Sequence, residues 1–219
     1  MVEFILHNYF RSSTSYRTRI VLNYKNLPFE YKAVHLLKGE QLSPEYKKLN
    51  PIGGVPTLVH NGKVIPDSYA IIEYLEEIVP TPALLPKDIY LRARVRQVCE
   101  IINSSMHPLG NLRVLKYLEQ KNGYNQNQKD EWAQHWGSLG LEALETNLQE
   151  FAGTYCFGDS VTMADVFLVP QIVTCQRFKI DTEKYKLLTR IFNHCQKLEA
   201  FTKAHPFRQP DTPEENRIK

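Results

Sequence analysis

Cysteine is scarce in this 219-residue sequence, and the four that occur, Cys99, Cys156, Cys175 and Cys195, form no Cys-x-x-Cys pair. That spacing argues against a zinc knuckle, a dithiol redox site and a disulfide framework, and it predicts reduced, mostly buried thiols and no bound metal. Long apolar runs are missing as well. The N-terminal stretch Met1–His7 carries Glu3 inside a very short hydrophobic segment, which is not a signal sequence, and no later stretch approaches a membrane span. A soluble, cytoplasmic protein with no membrane partner is the expectation. Charge of one sign is lacking too: 27 Lys and Arg are spread among 24 Asp and Glu, for a net charge of +3. Nucleic acid is therefore not an expected partner, and any role for positive charge is local.

The chain is organised around Tyr9-Phe10-Arg11-Ser12-Ser13-Thr14-Ser15-Tyr16-Arg17-Thr18-Arg19. Before it, Val2, Phe4 and Leu6 alternate, with Ile5 adding bulk to the other face, which predicts a strand over residues 2–9. After it, Tyr16, Ile20 and Tyr24 recur at helix spacing up to about Asn26, and Leu27-Pro28 ends the helix. Four hydroxyl residues thus fall at a helix N-terminus, where backbone N–H groups lack intrahelical partners and can hold an anion or a thiolate. Read alone, they are a helix cap.

Phe29 to His35 alternates as a second strand, so strand, helix and strand make a right-handed βαβ unit. A helical turn is expected around Ser43 to Leu49. Asn61-Gly62 between two apolar runs signals a hairpin, because both residues tolerate positive φ. Asp67 and Ser68 are expected to cap the next helix, with Ile71, Ile72, Leu75 and Ile78 as its buried stripe. This order, βαβαββα, is that of a thioredoxin-like domain over residues 1–79. Three prolines between Val79 and Pro86 predict a semi-rigid linker over 80–87. Beyond it, helix spacing runs over 91–118, 130–151, 163–178 and 184–203, which predicts an all-α bundle over 88–219 that ends in a Pro-rich surface tail from His205. Thr162 and Asp165 fit a capping box of structural role.

A thioredoxin-like unit followed by a helical bundle resembles the cytosolic glutathione transferases. The motifs Tyr9 to Arg17, Leu49-Asn50-Pro51 through Leu58, Asp67 to Leu75, Pro108 to Leu112, Tyr155 to Asp165 and His205 to Pro213 resemble the zeta class of that family. The resemblance implies glutathione as cofactor, held by Ser12, Ser13, Thr14, Ser15, Arg17, Gln41, Val55, Pro56, Asp67, Ser68, His107 and Asn111. It implies a cis Val55-Pro56 peptide that turns the Val55 backbone toward the cysteinyl part of glutathione, and a γ-glutamyl carboxylate at Ser68 on a helix start. It places the thiolate contact at Ser12, with Ser13 as the near alternative. It also implies a homodimer.

The implied activity is cis–trans isomerisation of maleylacetoacetate to fumarylacetoacetate in tyrosine and phenylalanine catabolism, with maleylpyruvate as an alternative substrate. A general glutathione transferase and a non-catalytic binding protein of the same fold are the other readings. Such a substrate is a dicarboxylate, and Arg177, Arg11 and Arg113 are the candidates to meet it. Holding a thiol of pKa ~8.5 half ionised near neutrality needs roughly 2 kcal/mol. A helix N-terminus gives about 0.3–1 kcal/mol and a hydroxyl bond to a charged acceptor about 1.5–3 kcal/mol, so no base is needed. The family usually has cysteine at the position of Thr14 and commonly glutamine at that of His107; because the nucleophile is the cofactor's own sulfur, isomerase activity is expected to survive the first change.

Overall fold

A computed structural model describes residues 3–218. The chain divides into two units, one formed by Met1–Ala83 and Gln196–Lys219, the other by Leu84–Cys195.

In the first unit, β1 (Phe4–Asn8) runs into α1 (Ser13–Tyr24), β2 (Phe29–Ala33), α2 (Pro44–Leu49), the hairpin β3 (Thr57–His60) and β4 (Lys63–Pro66), and α3 (Ser68–Ile78). The sheet order is β2-β1-β3-β4, with β1 and β2 parallel and the other pairs antiparallel. This is the βαβαββα order expected from the sequence, although Val2, placed in the first strand, lies outside the described residues. Phe4, Leu6 and Asn8 face inward, and α1 buries Tyr16, Ile20, Val21 and Leu22. At the hairpin, Asn61 and Gly62 take φ of 49° and 74°, the pair of positive angles that a two-residue turn of this kind requires.

Three expectations in this unit are corrected. Asp67 precedes α3 but its side chain makes no capping bond; its φ is 67° and its N–H donates to the Pro56 carbonyl at 3.2 Å. Ile78 is 40% exposed while Ile71, Ile72 and Leu75 are fully buried. In the last turn of that helix the buried position belongs to Glu76, which meets Lys25 at 2.7 Å. That ammonium also donates to the carbonyls of Val79 and Pro82, so the start of the proline stretch is tied to this unit rather than left as a spacer.

The third correction concerns the tail. Residues 196–219 join the first unit instead of closing the helical bundle, with α9 (Glu199–Ala204) packed on α1. The Tyr16 hydroxyl donates to the Phe201 carbonyl at 3.2 Å, and Pro206, Gln209 and Thr212 are buried. Thr212 donates to the Pro206 carbonyl at 2.7 Å and the Gln209 amide to those of Lys203 and His205 at 2.8 Å, which folds the prolines into a compact strap. Burial lowers the His205 pKa, and its Nδ1 accepts from the Phe207 N–H.

The second unit is helical: α4 (Ile89–Glu100), a π-helical turn (Ile101–Met106), α5 (Leu112–Asn122), α6 (Gln126–Leu148), α7 (Met163–Arg177) and α8 (Lys186–Cys195). The run expected over 91–118 is broken at Pro108-Leu109-Gly110, and that over 184–203 is two helices, α8 and α9. Apolar spacing continues through both breaks, so periodicity alone did not mark them. The gap expected over 122–128 is shorter, because Asn125 caps α6 and Gln128 bonds back to its N–H. Gly140 lets the Met106 side chain pack against α6, since a Cβ there would lie 2.2 Å from Met106 Cγ and force that side chain to move. All four cysteines are buried and unpaired by disulfides. Among the described residues no helix is long and apolar enough to cross a membrane, and no group of His, Cys, Asp and Glu side chains is gathered as a metal site.

Candidate active site

The hydroxyl cluster lies where the sequence placed it, between the end of β1 and the first turn of α1. Ser12 is the N-cap: its Oγ accepts the Ser15 N–H at 3.2 Å, and its carbonyl accepts the Tyr16 N–H at 2.9 Å. Ser13 and Ser15 are buried, while Ser12 and Thr14 are partly open. Ser15 Oγ faces inward to the Tyr9 N–H at 3.5 Å.

Thr14 links this cap to the second loop of the site. Its hydroxyl donates to the Val55 carbonyl at 2.9 Å and sits 2.8 Å from Ser12 Oγ. A threonine hydroxyl has one proton and a carbonyl only accepts. The Thr14 proton therefore goes to Val55, and Ser12 donates to Thr14. In this state the Ser12 proton is already engaged.

The Val55–Pro56 peptide is cis. Its loop is held from behind by two residues not among the expected site residues: the Tyr46 hydroxyl and the Asn50 amide both donate to the Gly54 carbonyl, at 2.7 and 3.0 Å. Neither had a sequence signal beyond an Asn before Pro51. Gly53 takes φ of 66°, and a Cβ there would stand 2.9 Å from the Gln41 carbonyl, so only glycine lets the two loops meet. On Gln41 the amide donates to the Leu36 carbonyl at 3.3 Å, whereas its buried Oε1 has no hydrogen-bond partner among the described residues. An orphaned buried acceptor is costly unless a ligand donor meets it. Arg17 and Ser68, both buried, come together with Arg17 Nη1 donating to Ser68 Oγ at 3.4 Å. A guanidinium beside a serine at the start of α3 suits a carboxylate, and the helix N-terminus adds to the attraction. Asp67 is exposed next to them, and Arg11 is exposed beside Ser12.

The other candidates belong to the second unit. His107 and Asn111 pair there, Nε2 to Nδ2 at 3.3 Å, and the Asn111 side chain caps α5 by accepting the Arg113 N–H at 3.0 Å. Arg177, the last residue of α7, lies with its guanidinium 4.9 Å from the Phe178 ring centre, and that ring is 3.6 Å from where a Cβ on Gly110 would be. The structure thus brings Gly110 against the ring of Phe178, the residue after Arg177. Both Arg113 and Arg177 are exposed.

Comparison with known proteins agrees with this geometry. Residues 6–83 match the family model described as "Glutathione S-transferase, N-terminal domain". Maleylacetoacetate isomerase of Mus musculus is 46% identical over 215 residues, which cover 97% of this chain and 97% of that one. A solved maleyl pyruvate isomerase, titled a bacterial zeta-class glutathione S-transferase, superposes with a TM-score of 0.93 at 44% identity, covering 95% of this chain and 100% of its own. Maleylacetoacetate isomerase from Anaeromyxobacter dehalogenans, solved with glutathione bound in its active site, gives 0.87 at 42% identity over 96% and 98% of the two chains. The same protein has been solved with dicarboxyethyl glutathione and citrate in the active site. By this likeness over nearly its whole length, the chain belongs to the zeta class of the glutathione transferase family.

Proposed function

We propose that the protein is a glutathione-dependent cis–trans isomerase acting on maleylacetoacetate, with glutathione transfer to electrophiles as a side activity. The observation that carries this reading is the buried Gln41 acceptor without a partner, set in the same unit as the Arg17–Ser68 pair and the Ser12 cap. Together they offer a donor-seeking oxygen, a carboxylate site and a thiolate site to one tripeptide. Bound there, glutathione supplies a thiolate whose conjugate addition opens the double bond to rotation and whose elimination restores it.

The chain's residues do the rest. Arg17 and Ser68 hold the γ-glutamyl carboxylate, and the Val55 backbone pairs with the cysteinyl part. Ser12 turns its proton from Thr14 toward the sulfur. Thr14 then turns its own proton from Val55 to Ser12, which frees the Val55 carbonyl for a ligand N–H and keeps every hydroxyl paired. Ser13 is the second candidate for the thiolate, and Ser15 holds the loop from inside. Gln41 and Pro56 shape the cofactor site, and Asp67 stands at its edge. For the substrate carboxylates, Arg11 is the candidate of the first unit, and Arg113 and Arg177 are those of the helical unit. The active form is a homodimer.

Thr14→Val is expected to leave kcat within about fivefold of wild type, because it releases the Ser12 proton while removing only a polarising neighbour. Steady-state rates at saturating glutathione check this. The substrate is tested by offering maleylacetoacetate and maleylpyruvate side by side with millimolar glutathione and following loss of each cis isomer. Higher kcat/KM for maleylacetoacetate is expected; preference for maleylpyruvate would reassign the substrate within the same chemistry.

A further inference from the structure

Phe10, two residues before Ser12, has both backbone polar groups held by charged side chains from other parts of the unit. Its N–H donates to Asp211 Oδ2 at 3.0 Å, and its carbonyl accepts from Arg19 Nη2 at 3.0 Å. The second Asp211 oxygen accepts the Tyr31 hydroxyl of β2. Arg19 is fully buried and also donates to Asn8 Oδ1 at 2.9 Å, to the Tyr9 carbonyl at 3.3 Å and, through Nε, to the Ala204 carbonyl at 3.1 Å.

A buried charge is tolerated when its hydrogen bonds are made, and here two of the four go to the Tyr9 and Phe10 carbonyls of one loop. The guanidinium therefore joins the end of β1, the Tyr9–Phe10 peptide and the end of α9, while the carboxylate joins that peptide, β2 and the tail. Burial lowers the Arg19 pKa to about 10, still charged at neutral pH, and raises that of Tyr31, which stays a donor.

We propose that the C-terminal tail is a positioning element of the active-site loop, with Asp211 and Arg19 clamping Phe10 from both sides and so fixing where Ser12 presents its hydroxyl. Asp211 is a positioning residue that touches no reactant. The inference rests on the reading of Ser12 as the thiolate contact. A hydroxyl bond to sulfur depends steeply on distance and angle, so a loop displaced by about 1 Å loses much of it, of the order of 10²-fold in rate at the extreme.

The test compares full-length wild type, Asp211→Ala, Asp211→Asn, Tyr31→Phe and Ser12→Ala. The readouts are kcat, KM for glutathione, and the pKa of the bound thiol from its ultraviolet thiolate absorbance. Asp211→Ala is expected to lose about tenfold in kcat and to raise the bound-thiol pKa by about one unit, with KM for glutathione nearly unchanged. Asp211→Asn, which can still accept from Phe10 and donate to the Tyr31 oxygen, is expected to recover most of both. Should Asp211→Ala fail to fold, Tyr31→Phe removes the hydrogen bond that orients Asp211 and is expected to shift both quantities in the same direction, and a folded Tyr31→Phe with wild-type values would overturn the clamp. A folded Asp211→Ala with wild-type kcat and thiol pKa, beside a raised thiol pKa in Ser12→Ala, overturns the clamp alone. An unchanged thiol pKa in Ser12→Ala overturns the underlying reading and the clamp with it.

Discussion

Ser12→Ala is expected to lower kcat by roughly 30- to 150-fold while glutathione still binds. The loss corresponds to about 2–3 kcal/mol, the strength of a hydroxyl bond to a charged acceptor. Binding survives because the carboxylate site at Arg17 and Ser68, the orphaned Gln41 oxygen and the Val55 loop are built from other residues. The α1 N-terminus remains in place, so the field of the helix, about 0.3–1 kcal/mol, is retained. A pH profile separates this from general damage. The deficit should shrink as the pH rises through the range of the free thiol, ~8.5, because solvent then ionises the sulfur without help. A variant as fast as wild type would move the thiolate role to Ser13 or Thr14.

Asp165→Ala is expected to cost about 2–5 kcal/mol of stability, read as the shift in a denaturant midpoint. Asp165 is fully buried at the start of α7, where Oδ2 accepts the Thr162 N–H at 2.7 Å and its hydroxyl at 2.9 Å, and Oδ1 accepts the Cys156 N–H at 2.8 Å. Alanine leaves two buried N–H groups unsatisfied, each costing about 1–3 kcal/mol. Burial nevertheless raises the Asp165 pKa against the pull of these bonds. The folded chain then holds this proton more tightly than the unfolded one. Ionisation above the unfolded value of about 3.9 therefore subtracts from stability as the pH rises, and the hydrogen bonds rather than the charge secure the helix start. Asp165→Asn, which keeps an acceptor on one side, should fall between wild type and alanine.

The elements legible in the sequence were those fixed by local chemistry. Asn61-Gly62 announced its hairpin because few residues accept two positive φ angles in a row. Leu27-Pro28 marked the end of α1 only approximately, because the helix already stops at Tyr24, with Lys25 as its C-cap and Asn26 at a φ of 54°. The Ser12 cap was readable from local chemistry as well. What was not readable depended on partners far along the chain. The pairing of Asp211 with Phe10 spans 201 residues, and nothing in a Pro-rich tail marks it as packed on the first unit. Ile78 followed the apolar spacing of α3, yet the buried place in that turn went to Glu76 because Lys25 was there to neutralise it. The break at Pro108–Gly110 was visible as composition but masked by continuing apolar spacing.

The site divides along the same line. Residue types at Ser12, Thr14, Gln41 and Ser68 could be nominated from motifs, but the direction of the Thr14 proton and the loneliness of the Gln41 oxygen are properties of three-dimensional neighbours. A hydroxyl is a donor in one setting and an acceptor in another, and sequence carries no record of which.

The role of glutathione as a catalyst that is returned at every turnover is tested most directly by mixing the enzyme with a large excess of maleylacetoacetate over glutathione. Both the cis isomer and free thiol are followed to completion. The cis isomer should disappear entirely, through many turnovers per glutathione, with the thiol undiminished at the end. Conversion that stops when the glutathione is spent, or that runs equally fast with none added, would refute it.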